Sequence, residues 1–148
     1  VRGNEGFSVA ELLVVVSLFA IGMATVVTNL RVAENPLHSA TNLTESYFKV
    51  ARAKAISTTS AYLIEQISAT ELQVRVGTNC DDAPVGAVDT ELALELPTST
   101  FIFYAGGPIS VCYSARGLAD DAFTFFVQDA SGGSRSVEVL LGGALRVS

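Results

Sequence analysis

Val1-Arg2-Gly3-Asn4-Glu5-Gly6-Phe7-Ser8-Val9-Ala10-Glu11-Leu12-Leu13-Val14-Val15-Val16 is the stretch whose reading decides the fold. A short polar leader closes at Gly6, a single carboxylate follows at Glu11, and from residue 12 to residue 30 no side chain is charged. At about 1.5 Å per residue a helix of that length reaches about 28 Å, close to a hydrocarbon core of about 30 Å. Ser17, Ala20, Gly22, Ala24, Thr25 and Thr28 interrupt the aliphatic run, and small or hydroxyl residues let helices approach closely in lipid. The segment therefore predicts a membrane-spanning helix built to pack against others. A carboxylate placed at mid-membrane costs about 2.5 to 3.5 kcal/mol, so Glu11 calls for a partner. Two alternatives stand beside this reading. A secretory signal would have a basic start, an apolar core of about 7 to 15 residues and a small-residue cleavage site, whereas this leader contains Glu5 and its apolar run is longer. A plain single-span anchor would leave Glu11 at the headgroup level.

The rest of the chain is less apolar. Its 148 residues allow one folded domain plus this appended segment. The formal net charge of −6 argues for a soluble outer surface and against a phosphate-binding one, which would need clustered Lys and Arg. The two cysteines, Cys80 and Cys112, lack zinc-site spacing. They read as a disulfide formed in an oxidising compartment and worth about 3 to 4 kcal/mol by loop closure; the alternative is two buried free thiols.

Asn35-Pro36 predicts a break, since Pro removes a backbone donor and turns the preceding residue away from helix. Helical spacing then resumes: Leu43, Tyr47, Val50 and Ala51 form a stripe that Phe48 and Ala55 widen, and Glu45 with Lys49 makes an i,i+4 pair. Thr58-Thr59-Ser60 should end this amphipathic helix. Beyond it the period becomes two, with strands expected at 61–67, 71–76, 91–96, 101–105, 109–114, 123–128, 137–141 and 144–147. Gly106-Gly107-Pro108, Ser131-Gly132-Gly133 and Gly142-Gly143 read as hairpin turns. Residues 77–90 form the long irregular stretch, which a bridge from Cys80 to Cys112 would tie down. The fold class is α+β: a long N-terminal helix, half transmembrane and half amphipathic, packed on a C-terminal antiparallel β-domain. The segments are residues 1–6 as leader, 7–33 as hydrophobic helix, 34–60 as amphipathic helix and 61–148 as β-domain.

Gly6 followed by Phe7, with an acid at Glu11 and then an apolar run, resembles the leader of type IV pilins and type II secretion pseudopilins. The resemblance implies that a prepilin peptidase cuts between Gly6 and Phe7 and methylates the new amino terminus, and that Glu11 pairs with the Phe7 amine of a neighbouring subunit. Three further segments resemble the GspH/FimT group of minor pseudopilins and minor pilins: Ala51-Arg52-Ala53-Lys54-Ala55-Ile56, Tyr113-Ser114-Ala115-Arg116-Gly117 and Gly143-Ala144-Leu145-Arg146-Val147. Lys54 stands where that group often carries Glu, and Ala144 where Arg commonly follows Gly. The implied partners are other pilin or pseudopilin subunits, the peptidase and an inner-membrane assembly platform. The implied location is the bacterial inner membrane, single-pass with the C-terminal domain outside the cytoplasm, and then a pilus or pseudopilus.

Chemistry-bearing motifs are sparse. His38 is the only histidine in the sequence, and no nucleophile elbow or metal-ligand motif accompanies it. Asp81-Asp82 and Asp120-Asp121 lack the spaced oxygens of a calcium loop. Lys49, Arg52 and Lys54 are the nearest thing to a basic patch, and some minor pilins of this kind serve DNA uptake. Without interleaved aromatics the three cations read first as a solvated helical face. A non-enzymatic structural subunit without cofactor or metal is the expectation.

Overall fold

The computed structural model describes residues 9, 10, 12–17, 19 and 35–148. Gly6, Phe7, Glu11 and much of the uncharged run lie outside the described residues. The chain divides into two compact units, Val1–Asn35 and Pro36–Ser148. In the first unit residues 9, 10, 12–17 and 19 are helical, the Ser17 hydroxyl donates to the Val14 carbonyl at 2.8 Å, and Val9, Phe19 and the Leu/Val run between them are exposed. Among the described residues no helix is long and apolar enough to cross a membrane.

The second unit opens with helix α1, Pro36–Thr58. Pro36 takes the first position, where its missing N–H is not needed by the helix. The buried face is Leu37, Ala40, Thr41, Thr44, Tyr47, Phe48, Ala51 and Ala55, a stripe at helical spacing. This corrects the expected stripe in one respect: Leu43 and Val50 are 43% and 46% exposed. Two threonines face inward instead because their hydroxyls fold back, Thr41 Oγ1 donating to Leu37 O at 2.6 Å and Thr44 Oγ1 to Ala40 O at 2.8 Å. With the hydroxyl paired inside the helix, only the methyl meets the core.

Thr59 closes the helix in the left-handed region, at φ 50°. The Ser60 N–H donates to Ala55 O and the Thr59 N–H to Ile56 O, the paired bonds of a Schellman end. A β-branched residue is strained in that conformation. Thr59→Gly should therefore raise stability by about 0.5 to 1 kcal/mol, seen as a higher urea midpoint at unchanged slope. A lower midpoint would show that the Thr59 hydroxyl bond to Thr58 O outweighs the strain.

Eight strands follow: β1 Ala61–Gln66, β2 Glu71–Gly77, β3 Ala87–Glu95, β4 Thr100–Phe103, β5 Ser110–Tyr113, β6 Phe123–Asp129, β7 Ser134–Val139 and β8 Leu145–Val147. They form two four-stranded sheets, β3-β2-β1-β5 and β4-β6-β7-β8, in which the paired strands run antiparallel. The turns at Ser131-Gly132-Gly133 and Gly142-Gly143 make hairpins, as expected. Gly106-Gly107-Pro108 does not: it carries the chain from β4 in the second sheet to β5 in the first. Strand β3 also begins at Ala87, earlier than expected, because Val88 pairs with Arg75 across a register shift in β2, the mark of a bulge.

Alternation along the strands sends Tyr62, Ile64, Leu72, Val74, Val111 and Tyr113 of the first sheet, and Ile102, Phe125, Val127, Val137 and Val139 of the second, into one core with the buried face of α1. Phe48, fully buried, stacks on Phe125 at 5.4 Å between ring centres. The helix thus packs against strands of both sheets, and each buried aromatic removes enough apolar surface from water to contribute a few kcal/mol.

Candidate functional site

Late in α1, Arg52 reaches across to two turns far away in sequence. Its Nε donates to the Gly117 carbonyl and its Nη2 to the Gly142 carbonyl, each at 2.9 Å. A guanidinium offers several donors in a rigid planar fork, which suits such a double contact. Both turns are tight: the Gly117 N–H donates to Ser114 O and the Gly143 N–H to Leu140 O, each at 2.7 Å. Both place a glycine at positive φ, 72° at Gly117 and 75° at Gly143. A Cβ on Gly117 would lie 2.6 Å from Ile56 Cδ1, and one on Gly143 would run into the Gly117 carbonyl oxygen. The three segments that the sequence singles out separately, around Arg52, Gly117 and Gly143, therefore meet at one point.

Tyr113 lies fully buried beside this junction, and its hydroxyl has no hydrogen-bond partner among the described residues. Burial pushes its phenol up to about 12; the Arg52 charge opposes this and the Asp120 carboxylate adds to it. Across the helix, the Tyr47 hydroxyl donates to Leu92 O at 3.2 Å, and burial, reinforced by Asp89, raises its pKa as well. Ile56, Leu118 and Leu141 stay exposed in the segments that form the junction.

The three cations do not share one face. Two residues apart on a helix means about 200° round the axis, so Arg52 and Lys54 leave α1 on different sides. Lys54 Nζ meets Asp89 Oδ2 at 3.0 Å and Glu91 Oε2 at 3.3 Å on β3, while Lys49 pairs with Glu45 at 2.6 Å along the helix. The hydrogen bond that Lys54 donates to Asp89 is the main reason the Lys54 pKa is raised. For Asp89, partial burial works upward, but the bonds from Lys54 and from the Glu91 backbone outweigh it and hold the carboxyl below its ordinary range. Each cation thus has an intramolecular partner.

Cys80 and Cys112 are bonded, with Cα atoms 5.7 Å apart. Among the described residues no group of three His, Cys, Asp or Glu side chains is placed to hold a metal ion. A groove of about 300 Å³ between the ends of β1 and β4 is lined by Gln66, Ile67, Ser68, Ile102, Phe103 and Tyr104 among others. The Gln66 amide there is already used, accepting from the Ile109 N–H and donating to Ile102 O.

No protein-family model and no curated protein sequence matches the chain. Its structure is similar to that of the type IV minor pilin FimU of Pseudomonas aeruginosa in two crystal forms. One aligns at a TM-score of 0.59 with 16% identity over 76% of this chain and 87% of that one. The other gives 0.59 and 17% over 75% and 91%. The chain has a type IV pilin-like fold. In this pilin-like fold the long helix α1 precedes the antiparallel β-domain, and the Arg52 junction ties the helix to loops of both sheets. The sequence marks the junction's three segments; the contact between them is not legible there, because an Arg on an amphipathic helix looks the same whether it faces water or two carbonyls.

Proposed function

We propose that this chain is a minor pilin or pseudopilin, a non-catalytic subunit of a type IV pilus or type II secretion pseudopilus. The observation that carries the reading is the joint occurrence, in one chain, of a pilin-like β-domain on a long helix and the leader Gly6-Phe7 with Glu11 ahead of an uncharged apolar run. The subunit is stored in the inner membrane with its β-domain outside the cytoplasm. A prepilin peptidase removes residues 1–6, and the assembly platform moves the mature chain into the filament. Glu11 is held at the membrane margin until the Phe7 amine of an adjoining subunit neutralises it, so assembly relieves a charge that is costly in lipid. The contact between subunits is heterologous and does not close, as a filament requires.

Two substitutions test the reading in cells that carry the matching machinery. Gly6→Ala should leave the chain with its leader, seen as an intact mass that keeps residues 1–6. Glu11→Ala should be processed and folded yet excluded from sheared filaments. A wild-type chain that retains Val1 after purification, or normal filament entry of Glu11→Ala, would remove the proposal.

A further inference from the structure

We propose that residues 78–86 form a redox-latched strap that opens locally when the Cys80–Cys112 bond is reduced, leaving the helix and both sheets in place. The side-chain alternation of the first sheet carries the argument. Tyr62 and Ile64 face the main core, whereas Ala61, Leu63 and Cys112 face outward and form a separate small cluster with Ala83, against which Cys80 packs. Neither cysteine belongs to the main core. The strap is therefore a lid over the outer surface of β1 and β5 and contributes nothing to the helix-facing side.

The strap is organised within itself. Asn79 Oδ1 accepts from the backbone N–H groups of Asp81 and Asp82, and Asp82 Oδ2 accepts from the Thr78 hydroxyl and the Asn79 amide. A short 3-10 turn, Ala83–Val85, follows. The ends lie close together, as in a compact surface loop: a Cβ on Gly86 would run into the Val76 carbonyl oxygen at the end of β2. Its non-covalent ties to the sheet are the buried methyl of Ala83, whose backbone packs close to Gly77, the approach of Gly86 to the Val76 carbonyl, and a 3.3 Å bond from Arg75 Nη1 to Gly86 O. Burying one methyl contributes on the order of 1 kcal/mol, too little to hold a nine-residue segment against its conformational entropy. The covalent bond is the latch.

Cys112, 1% exposed, stays anchored without the latch. Strand β5 pairs with β1 on one side, and on the other Cys112 exchanges bonds with Asp120, its N–H donating to Asp120 Oδ1 and its carbonyl accepting from the Asp120 N–H. Cys80 is partly exposed and is the sulfur a dithiol can reach. A thiolate attacks Cys80 Sγ, the S–S bond breaks, and Cys112 leaves as a thiolate that takes up a proton. The dithiol's second thiolate then displaces Cys80, which is protonated in turn, and the dithiol closes as a disulfide. The Cys80–Cys112 pair gains two electrons and two protons, the dithiol loses them, and Ala61, Leu63 and the Cys112 thiol are uncovered.

Hydrogen exchange read by mass spectrometry tests this on the full chain in detergent micelles, oxidised and after dithiothreitol. Reduction should speed exchange of the Ala83, Val85 and Gly86 amides, which bond within the strap, by about tenfold or more. The β1, β6 and β7 amides should stay protected. Iodoacetamide should then label Cys112 as well as Cys80 under native conditions. The Cys80→Ser, Cys112→Ser double variant should show the same local pattern without reductant. Strap amides that keep their protection in the reduced chain, or protection lost throughout the domain, would each overturn the proposal.

Discussion

Gly143→Ala should destabilise the β-domain by at least about 3 kcal/mol. Two costs coincide at this position. The residue sits at φ 75°, where a Cβ is strained, and that Cβ would collide with the Gly117 carbonyl oxygen, a backbone atom that cannot swing aside. The carbonyl is also the acceptor for Arg52 Nε, so relief of the clash must loosen the fork. Arg52→Ala attacks the same junction from the helix side. It removes two charge-assisted bonds and leaves Gly117 O and Gly142 O without that donor, for a cost of about 2 to 3 kcal/mol. Arg52→Lys should recover only part of it, since one ammonium cannot reproduce the planar fork. Urea unfolding followed by circular dichroism reads both. If the Arg52→Ala midpoint matches wild type, the junction is decoration and the helix is held by its apolar face alone.

Raising the pH from 10 to 12 should weaken the fold steeply. In the unfolded chain tyrosine ionises near pH 10, whereas the folded chain keeps the Tyr113 proton to about 12, because burial disfavours the phenolate more than the nearby Arg52 charge favours it. Between those values the unfolded state binds fewer protons than the folded state, so stability falls as pH rises. It is fully present below pH 10 and lost as pH passes through the folded value. Holding the Tyr113 proton to about pH 12 instead of about 10 corresponds to about 2.7 kcal/mol, and Tyr47, raised in the same direction, adds to the slope. Denaturant midpoints at pH 8, 10 and 11.5, with tyrosinate absorbance recorded alongside, measure it. Tyr113→Phe should flatten the dependence. If all four tyrosines titrate together near pH 10 while the protein remains folded, the buried environment assigned to Tyr113 is wrong.

Much of the architecture is legible in residue order. The change from a period near 3.6 to a period of two places the boundary between α1 and β1, and hydroxyl residues at Thr58-Thr59-Ser60 mark it. Glycine turns mark the last two hairpins. The misread helix face has a chemical origin: counting Thr41 and Thr44 as polar hides two buried positions, because their hydroxyls are paired inside the helix. The third glycine turn misleads for another reason. Gly106-Gly107-Pro108 reverses the chain as a hairpin would, but nothing local says which sheet offers the next strand a free edge.

Sequence alone determined that an uncharged run with one acid at its margin precedes an amphipathic helix and an antiparallel β-domain, because burial requirements write themselves into local periodicity. The division into two sheets was decided only in three dimensions. So was the use of Arg52, whose acceptors lie 65 and 90 residues away. The physical reason is range: a periodic pattern reports which side of an element leaves water, whereas a hydrogen bond between distant segments depends on how those sides are finally brought together.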